Sequence, residues 1–165
     1  MSAFSFRQYD GARDEEPALA LWLRTWQETY PDIDFAGRLA WWREHWRGLV
    51  RTARITVAEA KNEIIGFVTI DPGTLYLDQI VVAPEYWGSG LASALIAEAK
   101  RASPHGLDLD VNTDNVRAIA FYQKEGFVIT GEGINPRSGR PVHHMRWRPP
   151  PLLPPSLRQR ICCRP

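Results

Sequence analysis

The segment Leu77-Asp78-Gln79-Ile80-Val81-Val82-Ala83-Pro84-Glu85-Tyr86-Trp87-Gly88-Ser89-Gly90-Leu91-Ala92 restricts the fold more than any other part of the chain. An apolar β-rich run ends at Pro84, a short loop follows, and a helical pattern opens directly on a pair of glycines. That pattern runs from Leu91 to Arg101 and breaks at Ser103-Pro104, and Leu107 to Val111 then alternates with Asp108 and Asp110 as a second strand. Strand, helix and strand in that order require a parallel pair joined by a crossover. The stretch upstream reads differently. Ile55 and Val57 mark a strand, Lys61-Asn62-Glu63 a turn, Ile64 to Ile70 a returning strand, Asp71-Pro72-Gly73 a second turn, and Leu75 to Val82 the strand that enters the loop. This is an antiparallel meander, so the chain has to build a mixed sheet.

The remaining segments fit around that sheet. Phe4 and Phe6 alternate with polar neighbours as a short first strand. Leu19, Trp22, Leu23 and Trp26 follow helical spacing from Pro17, with Asp14 or Glu15 as the start signal and Pro31 as the stop. Asp34 is the expected cap of a second helix with Phe35, Leu39, Trp42 and Trp46 on its apolar stripe. A helix from about Asn115 to Glu125 stops at Gly126, and Phe127 to Thr130 pairs with Val142 to Arg148 around Asn135-Pro136-Arg137-Ser138-Gly139. Residues 1–148 therefore read as one domain. Residues 149–165 hold six of the thirteen prolines without a periodic apolar pattern, and read as an extended tail outside it.

Composition removes several function classes. The net charge is +1, and three tail arginines (Arg158, Arg160, Arg164) leave −2 for the remainder, which gives no electrostatic case for nucleic acid or an anionic membrane. No run reaches membrane-span length and no signal-peptide core fits the start, so a cytoplasmic protein is the simplest expectation. Cys162 and Cys163 are adjacent and offer neither a disulfide framework nor a zinc site. His143-His144 lies on the last strand without an evident third ligand, so no metal is expected.

Glycines at 88 and 90 allow positive φ and a close ligand approach, and the unpaired amides of the new helix favour an anion such as a pyrophosphate. A glycine pair opening a helix also serves packing alone, and the loop by itself leaves both readings open. The Lys-Ser/Thr of a P-loop is absent, and Ser93-Ala94 departs from the dinucleotide fingerprint.

Asn115-Val116-Arg117-Ala118-Ile119-Ala120-Phe121-Tyr122-Gln123-Lys124-Glu125-Gly126-Phe127 follows the second strand of the strand–helix–strand unit. Together with the glycine loop it resembles the GNAT superfamily of N-acetyltransferases, over about residues 50–148. The family's loop runs Gln/Arg-x-x-Gly-x-Gly/Ala, matched here by Trp87-x-x-Gly90-x-Ala92, and its later helix carries Asn, Ala and Phe-Tyr before Gly-Phe. Trp87 departs from the usual Gln or Arg, which puts a side-chain contact at that position in doubt and leaves the backbone contacts standing.

The resemblance implies an α+β fold with a mixed, mostly antiparallel sheet of six to seven strands, a splayed central parallel pair and helices on both faces. It implies acetyl-CoA as co-substrate and a primary amine of a small molecule or protein as acceptor, reacting by direct attack in a ternary complex on a monomer or homodimer. A non-catalytic acyl-CoA sensor of the same fold is the alternative. By the resemblance the pyrophosphate contacts Trp87, Gly88, Ser89, Gly90, Leu91 and Ala92, pantetheine follows the backbone of Ile80, Val81 and Val82, and Asn115 serves as cap and contact. Arg117 or Lys124 would balance phosphate charge. Tyr122 matches the tyrosine placed at the sulfur as proton donor. An alkyl ammonium has a pKa near ~10.4 and must lose a proton before attack. Asp78 is the first candidate base, with Asp110 and Glu28 behind it, and Tyr30 and Trp41, off the main apolar stripes, are candidates for the acceptor wall.

Overall fold

The computed structural model describes residues 4–151. Most of the Pro-rich tail, with Cys162 and Cys163, lies outside the described residues. The elements are β1 (Ser5–Gln8), α1 (Gly11–Thr29), α2 (Leu39–Thr52), β2 (Arg54–Ala60), β3 (Glu63–Asp71), β4 (Tyr76–Val82), α3 (Leu91–Ala102), β5 (Leu107–Asn112), α4 (Val116–Lys124), β6 (Val128–Ile134) and β7 (Pro141–Trp147). The seven strands form one sheet in the order β1-β2-β3-β4-β5-β7-β6, in which only β4 and β5 run parallel. Phe67 meets Trp46 of α2 edge-on, whereas a Cβ on neighbouring Gly66 would face Leu91 and Leu95 of α3. Successive strand residues point to opposite faces, so α2 and α3 cover opposite sides of the sheet.

The first helix begins earlier than its sequence signals indicate. Asp10 is the cap, its carboxylate accepting from the Ala12 amide, and Pro17 sits inside α1 rather than near its start. The reason is tertiary: Arg7 of β1 grips Asp14 with two hydrogen bonds of 2.6 and 2.9 Å, and Asp14 also accepts from the Asp10 amide. Burial opposes the Asp14 charge, but these donors outweigh it and hold the carboxyl below its usual range. The resulting anchor outweighs the loss of one helical hydrogen bond at proline.

Asp34 is not the cap of α2, which follows directly on the 3-10 turn Ala36–Arg38 with Arg38 at its cap position and no side-chain bond there. The Asp34 carboxylate instead accepts from the Gly37 amide within that turn. Trp22 stacks on Trp42 at 4.5 Å, and both are buried with Trp46, Phe35 and Leu19 between the first two helices and the sheet. Trp26 and Trp41 stay partly exposed at the margin of this cluster. The last hairpin forms as read, but β7 inserts between β5 and β6, with Leu107–Asn112 paired along Val142–Trp147.

Candidate active site

The sheet opens between its two parallel strands. β4 and β5 share a single pairing, Tyr76 with Asp108, supported by the Asp108 amide donating to the Leu75 carbonyl at 2.8 Å. Beyond it β4 continues for six residues with no partner on that side among the described residues. The Ala83 amide donates to the Ile65 carbonyl, which fixes the alternation of the antiparallel ladder. Val81 therefore turns its N–H and C=O towards β3, while Ile80 and Val82 turn theirs into the gap. Of the three residues expected to meet pantetheine through the backbone, Val81 is corrected to a ladder residue. The Val82 carbonyl is also occupied, accepting from the Trp87 indole at 2.9 Å and weakly from the Thr25 hydroxyl.

At the end of β4 the chain makes the 3-10 turn Pro84–Tyr86 and enters the glycine loop. Gly88 has φ +78° and Gly90 has φ +87°, the latter as the residue that starts α3. Apart from the glycine's own chain neighbours and local helix backbone, no atom among the described residues comes within 4 Å of where a Cβ would stand at either position. Packing thus does not explain these glycines, whereas a tight turn facing an open space does. Such a space, floored by the first amides of α3, fits a diphosphate. Three expected contacts are altered. The Ser89 hydroxyl donates to the Tyr86 carbonyl at 2.6 Å and accepts from the Leu91 amide at 3.3 Å, so both groups are engaged within the loop. The Trp87 indole is spent on Val82 and its ring carries the Arg117 guanidinium at 4.4 Å. Position 87 therefore braces the loop against β4 and seats a cation beside it. The Ala92 amide stands in the first turn, and Asn115 caps α4 by accepting from the Ala118 amide.

Tyr122 is buried on α4 between Phe121 and Phe127. Burial raises its pKa, with no charged or hydrogen-bonding neighbour among the described residues to offset it, so the phenol stays protonated. Its charge state is felt at Tyr76, whose pKa is also raised, first by burial and then by the Asp110 and Asp78 carboxylates. Asp110 bonds to His144 at 2.5 Å and accepts from Tyr76 at 3.4 Å. Glu28 lies elsewhere, along a groove of about 470 Å³ on the outer side of α1 with Ala20, Leu23, Arg24 and Ala36.

Asp78 sits at a β-bulge: Thr69 pairs with Gln79 and Ile70 with Leu77, leaving Asp78 as the extra residue. The bulge turns Asp78 and Gln79 to one side, where Gln79 Nε2 donates to Asp78 Oδ2 at 3.2 Å. His45 of α2 reaches the same oxygen through Nε2 at 2.9 Å. His45 was not among the sequence candidates. Its position one helical turn from Trp41, on the face read as acceptor wall, is the signal that could have found it.

The side chains on this face come from distant segments. Trp41 stacks on His45 at 5.1 Å and receives the Arg137 guanidinium at 3.2 Å from the β6–β7 loop. The Tyr30 hydroxyl accepts from Asn112 and donates to Asp114, each at 3.3 Å, and Arg140 lies over its ring while bonding Asp114 at 2.9 Å. Tyr30 and Trp41 thus both stand where the end of β5, α2 and the last hairpin meet. Among the described residues no helix is long and apolar enough to cross a membrane, and no group of three or more His, Cys, Asp and Glu is placed to hold a metal.

A splayed parallel pair, a glycine loop opening α3 and a buried tyrosine on α4 make up the candidate site. The family described as Acetyltransferase (GNAT) family matches residues 16–127, and the chain belongs to it as an N-acetyltransferase that takes its acetyl group from acetyl-CoA. It is 33% identical over 144 residues to the peptidyl-lysine N-acetyltransferase YiaC of Escherichia coli K12, covering 84% of this chain and 94% of that one. It is 29% identical over 127 residues to the peptidyl-lysine N-acetyltransferase YjaB of Salmonella typhimurium, covering 76% and 85%. The fold matches that of the PaiA N-acetyltransferase of Thermoplasma acidophilum, solved in complex with coenzyme A, with a TM-score of 0.74 at 19% identity over 90% of this chain and 99% of that one.

Proposed function

We propose that this enzyme acetylates a primary alkyl amine carried on a cationic side chain, with peptidyl lysine as the leading acceptor. The carrying observation is the open edge of β4 beside two positive-φ glycines, with a carboxylate and aromatic rings on the acceptor side. The diphosphate of acetyl-CoA would be held by the amides of Gly88, Gly90 and Ala92, with Arg117 supplying positive charge. Pantetheine would add to the free edge of β4 at Ile80 and Val82, as an extra strand does. The Val82 N–H is the donor suited to the developing oxyanion.

Attack requires a neutral amine, and Asp78, with the groups bonded to it, supplies the base that removes the ammonium proton. Tyr122 faces the departing sulfur. Thiols have a pKa near ~8.5, below that of a buried phenol, so full proton transfer from Tyr122 is uphill and its part is to donate a hydrogen bond as charge develops. Trp41 and Tyr30 already hold guanidinium groups on their faces, and such faces suit a lysine side chain at about 0.5–2 kcal/mol each. Two relatives named peptidyl-lysine N-acetyltransferases support this acceptor class.

The test is a screen of lysine peptides and small alkyl amines with acetyl-CoA, read as free thiol and confirmed by mass. Acetylation of a lysine ε-amine is expected. Turnover confined to acceptors without an alkyl ammonium group would overturn the acceptor assignment.

A further inference from the structure

We infer that His45 takes the acceptor's proton, with Asp78 orienting it, so that the pair and not the carboxylate alone deprotonates the incoming ammonium. The inference rests on the acceptor class proposed above and deepens it.

The geometry is specific. The Asp78 carboxylate only accepts hydrogen bonds, so His45 Nε2 is the donor in their 2.9 Å contact and Nδ1 carries the lone pair. The imidazole is fixed in place by stacking at 5.1 Å on Trp41 and by a tilted contact at 5.2 Å with buried Trp42. It remains about one-third exposed. Gln79, turned the same way by the bulge, gives its N–H to Asp78 and leaves Oε1 buried with no donor among the described residues. A buried acceptor without a partner is unfavourable, and an ammonium, or a water linking it to the imidazole, supplies the missing donor.

Proton affinities favour the pair. An imidazole is intrinsically a stronger base than a carboxylate and so the better acceptor for an alkyl ammonium proton. The carboxylate beside the ring offsets the charge the imidazole acquires, as in other histidine–aspartate pairs. Other charged groups nearby do not compete for the ring. Arg137 of the β6–β7 loop stacks on Trp41, Asp110 is engaged by His144 and Tyr76, and Arg43 and Arg47 of α2 turn to Glu15 and Glu16 of α1.

The step balances. One ammonium N–H bond breaks and its proton goes to His45. The freed lone pair forms the C–N bond to the thioester carbon and the C–S bond breaks. A second nitrogen proton passes to sulfur beside Tyr122, and His45 returns its proton to solvent. One proton is released per amide formed.

The experiment measures kcat/KM for a lysine peptide from pH 6.5 to 9.5 in the wild type, His45→Ala and His45→Gln, with acetyl-CoA affinity of each by calorimetry. His45→Ala is expected to fall about 10²-fold at pH 7. Above neutral pH the deficit should narrow by about tenfold per unit, because the free amine fraction grows towards ~10.4. His45→Gln, which can still donate to Asp78, should be as slow as His45→Ala, and acetyl-CoA affinity should be unchanged in both. A wild-type to His45→Ala ratio constant across pH, or full activity in His45→Gln, would show that His45 only positions Asp78 and would overturn the inference. A wild type that binds acetyl-CoA yet acetylates no alkyl-ammonium acceptor overturns both this inference and the acceptor reading.

Discussion

The two sides of the active site are built from different materials. In the proposed site the acetyl-CoA side is backbone: the Gly88 and Gly90 turn, the first amides of α3 and the edge of β4 at Ile80 and Val82 that β5 leaves unpaired. Its side chains mostly hold the loop to itself, as Ser89 does with Tyr86 and Trp87 with Val82. The acceptor side is made of side chains contributed by α1, α2, β4, β5 and the last hairpin, joined in pairs such as His45–Asp78, Arg137–Trp41 and Arg140–Asp114. A group common to every turnover can be met by a local backbone shape, which tolerates changes of side chain. An acceptor is recognised by residues that only the complete fold brings together, and these can be exchanged without disturbing the loop.

That contrast can be broken most severely at Gly90. Gly90→Val meets no packing clash, so the folded domain should persist, but a branched residue opposes φ +87° and fills the space facing the amides. Loss of two hydrogen bonds to a charged phosphate, at about 1.5–3 kcal/mol each, predicts a roughly 10²–10⁴-fold weaker acetyl-CoA affinity by calorimetry. Unchanged affinity would place the diphosphate elsewhere.

Tyr122→Phe tests the junction of the two sides. The ring packing against Phe121 and Phe127 is kept, while kcat should drop about 10–10³-fold with acetyl-CoA affinity intact. Full kcat, with chemistry shown to be rate-limiting, would reduce Tyr122 to a packing residue.

On the acceptor side, Trp41→Ala should raise KM for a lysine peptide about tenfold and leave acetyl-CoA affinity alone, the loss of one cation-binding aromatic face. Equal damage to both ligands would erase the distinction between the sides.

The smallest effect is expected at Trp87→Phe, which keeps an aromatic ring under Arg117 but removes the donor to Val82. One neutral hydrogen bond, about 1 kcal/mol, should cost acetyl-CoA no more than about fivefold in affinity. A loss approaching that of Gly90→Val would make position 87 a direct ligand.

The same contrast explains what the sequence disclosed. Gly88, Gly90 and the strand before them were legible because a turn at positive φ and a helix start are local properties. The insertion of β7 between β5 and β6 was not, since a hairpin read from its own residues does not reveal its other neighbour. Pro17 misled for a related reason: the true start of α1 depends on Arg7, a residue on another element. Asp78 was chosen from its strand, but its bulge depends on the register of Thr69 and Ile70, and its partner His45 is 33 positions away. His45 lies off the apolar stripe, one turn from Trp41; that spacing marks the acceptor face but not the carboxylate the histidine meets there.

The lone Tyr76–Asp108 bridge also bears on how the molecule unfolds. It leaves β1–β4 and β5–β7 as two ladders with almost no hydrogen bonding between them. Local opening of one ladder need not carry the other with it, so native-state amide exchange in the absence of ligand should resolve two protection levels, one on each side of the bridge. A molecule bound along the free edge of β4 spans both ladders and should draw the two levels together. The substrate would then act as the missing strand of the sheet, and turnover would repeatedly join and release the two halves of the fold.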